Sequence, residues 1–286
     1  MTFGKPGQYR QPVSGYWSSL DLDRFDLPCF TLDPVSMTPE EKIRAYYDAL
    51  GDAWGPQHWW PARTRFEVIV GAYLTQNTSW KNVEIALGRL RAEDLVNLPG
   101  IRTIPLKQLE ARIRSAGYFR QKAGRLKTFV AFVDQRYAGS LQRLFAQPTQ
   151  KLRQELLALN GVGPETADSI LLYAGQHAVF VVDAYTRRIL ERHRITATNA
   201  KYEELRALLE QALAGTTRTK RRTGNQELET GFRPAPHSPS PMSLARRSPL
   251  AQVYNDMHGL MVAVGKHCCL KSEPRCAQCP LQKFLP

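Results

Sequence analysis

From Arg65 onward, apolar residues recur at intervals of three and four, the spacing that lines one face of an α-helix. The pattern predicts helices over 64–76, 80–92, 106–116, 120–137, 149–159, 164–176, 184–193, 201–213 and 249–265. Upstream, Thr38-Pro39-Glu40-Glu41 has the form of a capping box with proline at the first helical position, and opens a helix through about Leu50. The run Val179–Val182 is the one stretch that reads as extended. Residues 1–35 are rich in Gly, Pro, Ser and Gln without helical period and predict a flexible arm. The stretch 215–248 turns to Arg, Pro, Ser, Thr and Gly and predicts a flexible insert. The fold class that follows is all-α, with no internal repeat of fixed period.

Composition narrows the partner. With 286 residues and 43% hydrophobic content, the chain can bury one large or two modest cores. Its formal charge of +13 and pI near 9.7 suggest a polyanionic partner, either nucleic acid or an acidic membrane face. The insert holds seven Lys or Arg against two Glu, so +5 of the +13 lies there and the rest belongs to the folded part. No apolar run is long enough to span a bilayer, and the N-terminus lacks the apolar stretch of a secretory signal, which predicts a cytoplasmic protein.

Between the helical patterns of 149–159 and 164–176 lies Asn160-Gly161-Val162-Gly163-Pro164. Two glycines let a backbone approach a ligand closely, and the helix opened by Pro164 turns its positive end toward the same place, an arrangement suited to a phosphate. A plain helix–helix turn with a glycine cap would look the same. Two carboxylates follow: Glu165 in the first turn of the helix and Asp183 directly after the apolar run AVFVV.

LNGVGPETADSILLYAG followed by VVDAYTRRIL resembles the hairpin and catalytic loop of the helix-hairpin-helix, endonuclease III-like DNA glycosylases. FEVIVGAYLTQNTSWKNVEIAL and SAGYFRQKAGRL agree in order, and HWWP, LTQNT, PETAD and VVDAYT point to the 3-methyladenine DNA glycosylase III branch. The resemblance implies two helical lobes with a DNA-binding cleft between them. Residues 64–182 would form a six-helix barrel-type lobe with the helix-hairpin-helix at about 149–176, and residues 36–63 plus 183–286 the second lobe. It also implies a monomer acting on double-stranded DNA that contains damaged bases, with Asp183 and Glu165 as catalytic carboxylates. Trp60, Pro61 and Trp80 would form the base pocket, and Gln76 and Asn77 would enter the duplex. Asn160, Gly161, Val162, Gly163 and Lys122 would meet phosphates.

Endonuclease III carries a lysine after the hairpin that forms a Schiff base with the sugar. Glu165 stands there instead, which predicts base removal by water, most readily of an alkylated purine. The alternatives are a bifunctional glycosylase/lyase acting on oxidised pyrimidines, or a DNA-binding relative without catalysis. Asp183 would also serve as a helix N-cap, Glu165 as a complement to the helix dipole and Gln76 as a helix-ending amide.

Four of the five cysteines crowd into the tail GKHCCLKSEPRCAQCPLQKFLP. Cys269, Cys276 and Cys279 match the start of the endonuclease III cluster pattern C-x6-C-x2-C-x5-C, but its fourth position is Leu285. The resemblance implies a [4Fe–4S] cluster, with Cys268, His267 or Cys29 as possible replacements for the missing ligand and zinc as the alternative metal.

Overall fold

The computed structural model describes residue 1, residues 37–216 and residues 232–286, and among them there is no strand. Nearly all of the expected arm 1–35 and residues 217–231 of the insert lie outside the described residues. No helix among the described residues is long and apolar enough to cross a membrane.

Helix α1 (Pro39–Trp54) begins as its sequence predicts: the Thr38 hydroxyl accepts the Glu41 N–H at 3.2 Å and the Glu41 carboxylate accepts the Thr38 N–H at 2.8 Å. Helix α2 (Arg65–Leu74) is apolar on nearly all faces, and every residue from Phe66 to Leu74 is buried. A helix of that kind belongs at a centre. Against it pack α3 (Trp80–Ala92) and α6 (Phe119–Tyr137), with α4 (Leu98–Thr103) and α5 (Leu106–Arg112) on α6. Each fully buried side chain such as Ile69 or Leu74 contributes about 1.5–3 kcal/mol of burial free energy.

The short α7 (Leu141–Phe145) leads to α8 (Thr149–Leu157) and α9 (Pro164–Ser169), and α9 continues as a single π-helical turn, Ile170–Ala174. A second group contains α10 (Ala184–Arg192), α11 (Tyr202–Leu213) and α12 (Pro249–His267), packed together with α1. The π turn touches both α2 and α12, so it joins the two groups. Within 64–182 the six expected helices are present. The structure adds α4 and α7, which are too short to show a period.

One expectation is refined and another corrected. Val179–Val182 is buried but forms no ladder; the Phe180 N–H is met by the Glu210 carboxylate at 2.9 Å, the Val182 N–H by the Tyr202 hydroxyl at 3.3 Å and the Val179 N–H by the His177 carbonyl at 3.0 Å. The second half of the expected flexible insert, 232–248, is held in place. The Trp54 indole donates to the Phe232 carbonyl, the His237 and Met242 N–H groups donate to the carbonyls of Gln57 and Ala62, and Met242 is buried. A few anchors along an otherwise polar stretch are enough to dock it on the loop 55–63.

Candidate active site and nucleic-acid interface

The turn between α8 and α9 requires its glycine twice over. Gly161 has φ +77°, and a Cβ there would come within 1.9 Å of the Arg125 side chain. Gly163 is the extended N-cap of α9, Pro164 occupies the first turn, and Val162 is buried as the anchor of the hairpin. Asn160 and Gly163 remain exposed at its outer edge. Arg153 on α8 binds Asp168 on α9 through two hydrogen bonds of 2.7 and 3.0 Å, which fixes the angle between the helices.

Gln76 and Lys122 are placed differently from expectation. The Gln76 amide donates to the Gly161 carbonyl and the Thr166 hydroxyl, both at 3.0 Å, while its oxygen accepts from Arg125 at 2.8 Å. It is therefore a brace for the hairpin and not a free inserting side chain; the helix-ending residue is Thr75. Asn77, exposed with φ +52°, forms the tip of that loop. Lys122 is not at a phosphate. It is 1% exposed and donates to the carbonyls of Leu74 and Ala116 at 2.9 and 2.6 Å; burial, together with the charge of Arg125, lowers its pKa to about 8. Two residues not singled out from sequence join this surface: Arg125 beside the hairpin, and Tyr118, 66% exposed at the start of α6 with φ +45°.

Asp183 caps α10: one carboxylate oxygen accepts the Thr186 N–H at 2.7 Å, while the other lies 3.6 Å from Nε2 of His258 on α12. His258 Nδ1 is 2.5 Å from the Tyr173 hydroxyl on the π turn. Burial pushes the Asp183 carboxyl up, but His258 and Thr186 outweigh it and hold the group below the usual carboxylate range. Glu165 goes the other way. Its surface is open to solvent although protein surrounds it on most sides, as in a recess, and this burial together with the charge of Asp183 raises its pKa to about 7 against an opposing effect of His258. Two carboxyls within each other's field are thus shifted in opposite directions.

Trp59, Trp60 and Trp80 gather beside this pair, with ring centroids 5.3–6.1 Å apart. Trp60 is only 4% exposed; its indole covers Gly71 and meets Tyr173 at 5.2 Å, so it is a back wall and presents no free face. Trp80 and Pro61 are half-buried, and the Trp80 indole donates to Glu84 at 3.0 Å. Trp59 lies 6.4 Å from the His258 ring, which links the cluster to Asp183. Lys266 places its ammonium 5.1 Å over the Trp59 ring; burial lowers its pKa, opposed by the charges of Asp183 and Glu84.

At the C-terminus, Cys268, Cys269, Cys276 and Cys279 line one cavity of about 50 Å³, and Leu285 lines it too. The Cys268 thiol lies 3.8 Å from the Gln278 carbonyl, and Arg192 donates to Cys269 Sγ at 3.3 Å. His267 instead stacks near Phe232 at 5.5 Å, and Cys29 lies outside the described residues. Among the described residues no three His, Cys, Asp or Glu side chains converge on a point where a metal ion could be held. A zinc ion would need its thiolates about 2.3 Å from such a point. The donor set, four thiols around one cavity, fits a four-thiolate group in number and kind.

The sequence profile of the HhH-GPD superfamily of base excision DNA repair proteins matches residues 70–214. MJ1434 of Methanocaldococcus jannaschii, by its name a candidate DNA repair glycosylase, is 39% identical over 245 residues, covering 85% of this chain and 96% of its own. Endonuclease III-like protein 1 of Bos taurus is 27% identical, covering 85% and 68%. Among solved structures, the H. pylori 3-methyladenine DNA glycosylase MagIII bound to 1,N6-ethenoadenine superposes with a TM-score of 0.60 at 28% identity, over 80% of this chain and 98% of that one. An endonuclease III–DNA complex shares the fold with a TM-score of 0.64 at 22% identity, over 87% and 96%.

Proposed function

Since this chain belongs to the HhH-GPD superfamily of base excision DNA repair proteins and is a DNA glycosylase, we propose that it removes its base by direct hydrolysis, with Asp183 and Glu165 dividing the work. The observation that carries this is the separation of the pair: a depressed Asp183 and a Glu165 raised to about 7. Cleavage of an N-glycosidic bond develops positive charge on the sugar. An Asp183 that stays ionised in a low-dielectric recess stabilises that charge and orients the attacking water. At neutral pH Glu165 is partly protonated and is placed to give a proton to a departing neutral base.

Asn160 to Gly163 and Arg125 supply the phosphate-facing edge for double-stranded DNA, and Asn77 and Tyr118 are the side chains exposed to enter the stack. The base that leaves the helix is taken against Trp80, with Trp60 as back wall. We assign an alkylated purine as substrate. Such a base is cationic and needs little acid help to depart. It is attracted to indole faces by roughly 0.5–2 kcal/mol, and MagIII, which shares the fold, is a 3-methyladenine glycosylase. The protein acts as a monomer. Cys268, Cys269, Cys276 and Cys279 would hold a [4Fe–4S] group, which when bound supplies a structural clamp on the tail; the Asp183 chemistry uses none of it.

One observation favours a second reading, base removal followed by strand cleavage on oxidised pyrimidines. Lys266 is an amine within the field of Asp183 and its pKa is lowered. A base-release assay over duplexes carrying 3-methyladenine, ethenoadenine, uracil or thymine glycol, with borohydride added in parallel, decides. Release of the alkylated purine without a trapped adduct supports hydrolysis. An adduct lost in Lys266→Met supports the second reading.

A further inference from the structure

We infer that His258, set by Tyr173, is a positioning residue that holds Asp183 as an oriented anion by offering its Nε2–H to the outer carboxylate oxygen; this rests on the proposed role of Asp183. The ring is 3% exposed, inside α12, where a polar group without a partner is costly. Its Nδ1 is matched with the Tyr173 hydroxyl at 2.5 Å. Burial and the charge of Asp183 keep that hydroxyl protonated far above its ordinary range, so it has a proton to offer Nδ1. The geometry favours the ring proton on Nε2, which faces the Asp183 oxygen at 3.6 Å and has no other hydrogen-bond partner. The opposite tautomer would set a lone pair against a carboxylate.

At 3.6 Å the contact is just outside hydrogen-bond reach, and in empty enzymes such contacts often tighten only once substrate is bound. The Thr186 N–H already fixes the first carboxylate oxygen, so His258 is the partner that fixes the second. Other charged groups face this assembly: Glu165 from α9, Arg247 from the segment before α12, toward Tyr173, and Lys266 from the end of α12, toward Asp183. Of these, Glu165 competes with Asp183 for a proton. Without His258, burial would push Asp183 upward and the pair would lose its division of labour.

The test is the pH dependence of single-turnover base release between about pH 4 and 9, on a duplex the wild type processes; with Asp183 held below the usual carboxylate range, the wild type shows no acidic limb in that window, and a limb that enters it is the shift to be read. His258→Phe should slow release roughly tenfold or more at neutral pH and move the acidic limb up by about one pH unit or more. His258→Gln, which keeps an N–H donor, should recover part of that shift, and Tyr173→Phe should produce a smaller shift in the same direction. DNA affinity should change little in all three. A His258→Phe enzyme whose acidic limb stays at the wild-type position, whatever its rate, overturns the inference, because loss of packing alone slows release equally at every pH. Failure of the underlying reading is distinct: Asp183→Asn would then retain base release.

Discussion

The two carboxyls of the site sit in opposite surroundings. Asp183 ends a buried apolar loop and is clasped by a backbone N–H and a histidine, whereas Glu165 stands at the open end of α9 with no such partner among the described residues. The same functional group is therefore held ionised in one place and kept near half-protonation at neutral pH in the other. Burial acts on both in the same direction. What separates them is the Thr186 N–H and the facing His258, which lower Asp183, and the Asp183 charge, which pushes Glu165 further up.

The largest expected effect comes from erasing the clasped side. Asn is as good an N-cap as Asp, so Asp183→Asn should keep α10 intact and DNA affinity nearly unchanged while lowering base release by roughly a thousandfold, measured in single-turnover assays. Glu165→Gln tests the open side. Because the Glu165 pKa is raised, its proton is present below about pH 7 and lost above it. Release of a neutral base such as ethenoadenine should decline through that range in the wild type and lose this limb in the variant. Release of a cationic alkylated purine should show the limb weakly or not at all.

How much of this was visible along the chain depends on how local each signal is. The hairpin was legible because its glycines and proline act on their own backbone, and Asp183 because an N-cap follows directly from its place before α10. His258 was not: in YNDMHGLMV it reads as one polar position on a buried helix, and its partners Tyr173 and Asp183 come from two other elements. Lys122 misled for a related reason. A lysine near a helix start predicts solvent or phosphate, yet two carbonyls from outside its helix draw it inward. The segment 232–248 is polar in composition, and its few anchors show only in three dimensions.

Smaller effects separate the binding surface from the carboxyl pair. Trp80→Ala should cost about 1–3 kcal/mol of base stacking, seen as slower excision with little change in DNA affinity. Trp60→Ala should in addition lower Tm, since about 3–5 kcal/mol accompanies removal of a buried aromatic. Gly161→Ala strains the left-handed turn and collides with Arg125, so DNA affinity should weaken while the pH profile of release stays in place. In the tail, Cys276→Ser should strip iron and the brown colour from purified protein, and Cys268→Ser should do the same. Iron content and visible absorption report both, independently of excision.

The separation of the two carboxyls is measured most directly by NMR titration of side-chain carboxyl carbons in protein labelled at Asp and Glu, with Glu165→Gln and Asp183→Asn as assignments. The predicted result is one carboxyl titrating near pH 7 that vanishes in Glu165→Gln, and a second, absent in Asp183→Asn, that stays ionised until the pH falls below the ordinary aspartate range. Two carboxyls titrating together at ordinary values, or Asp183 as the one that titrates near 7, would contradict the account.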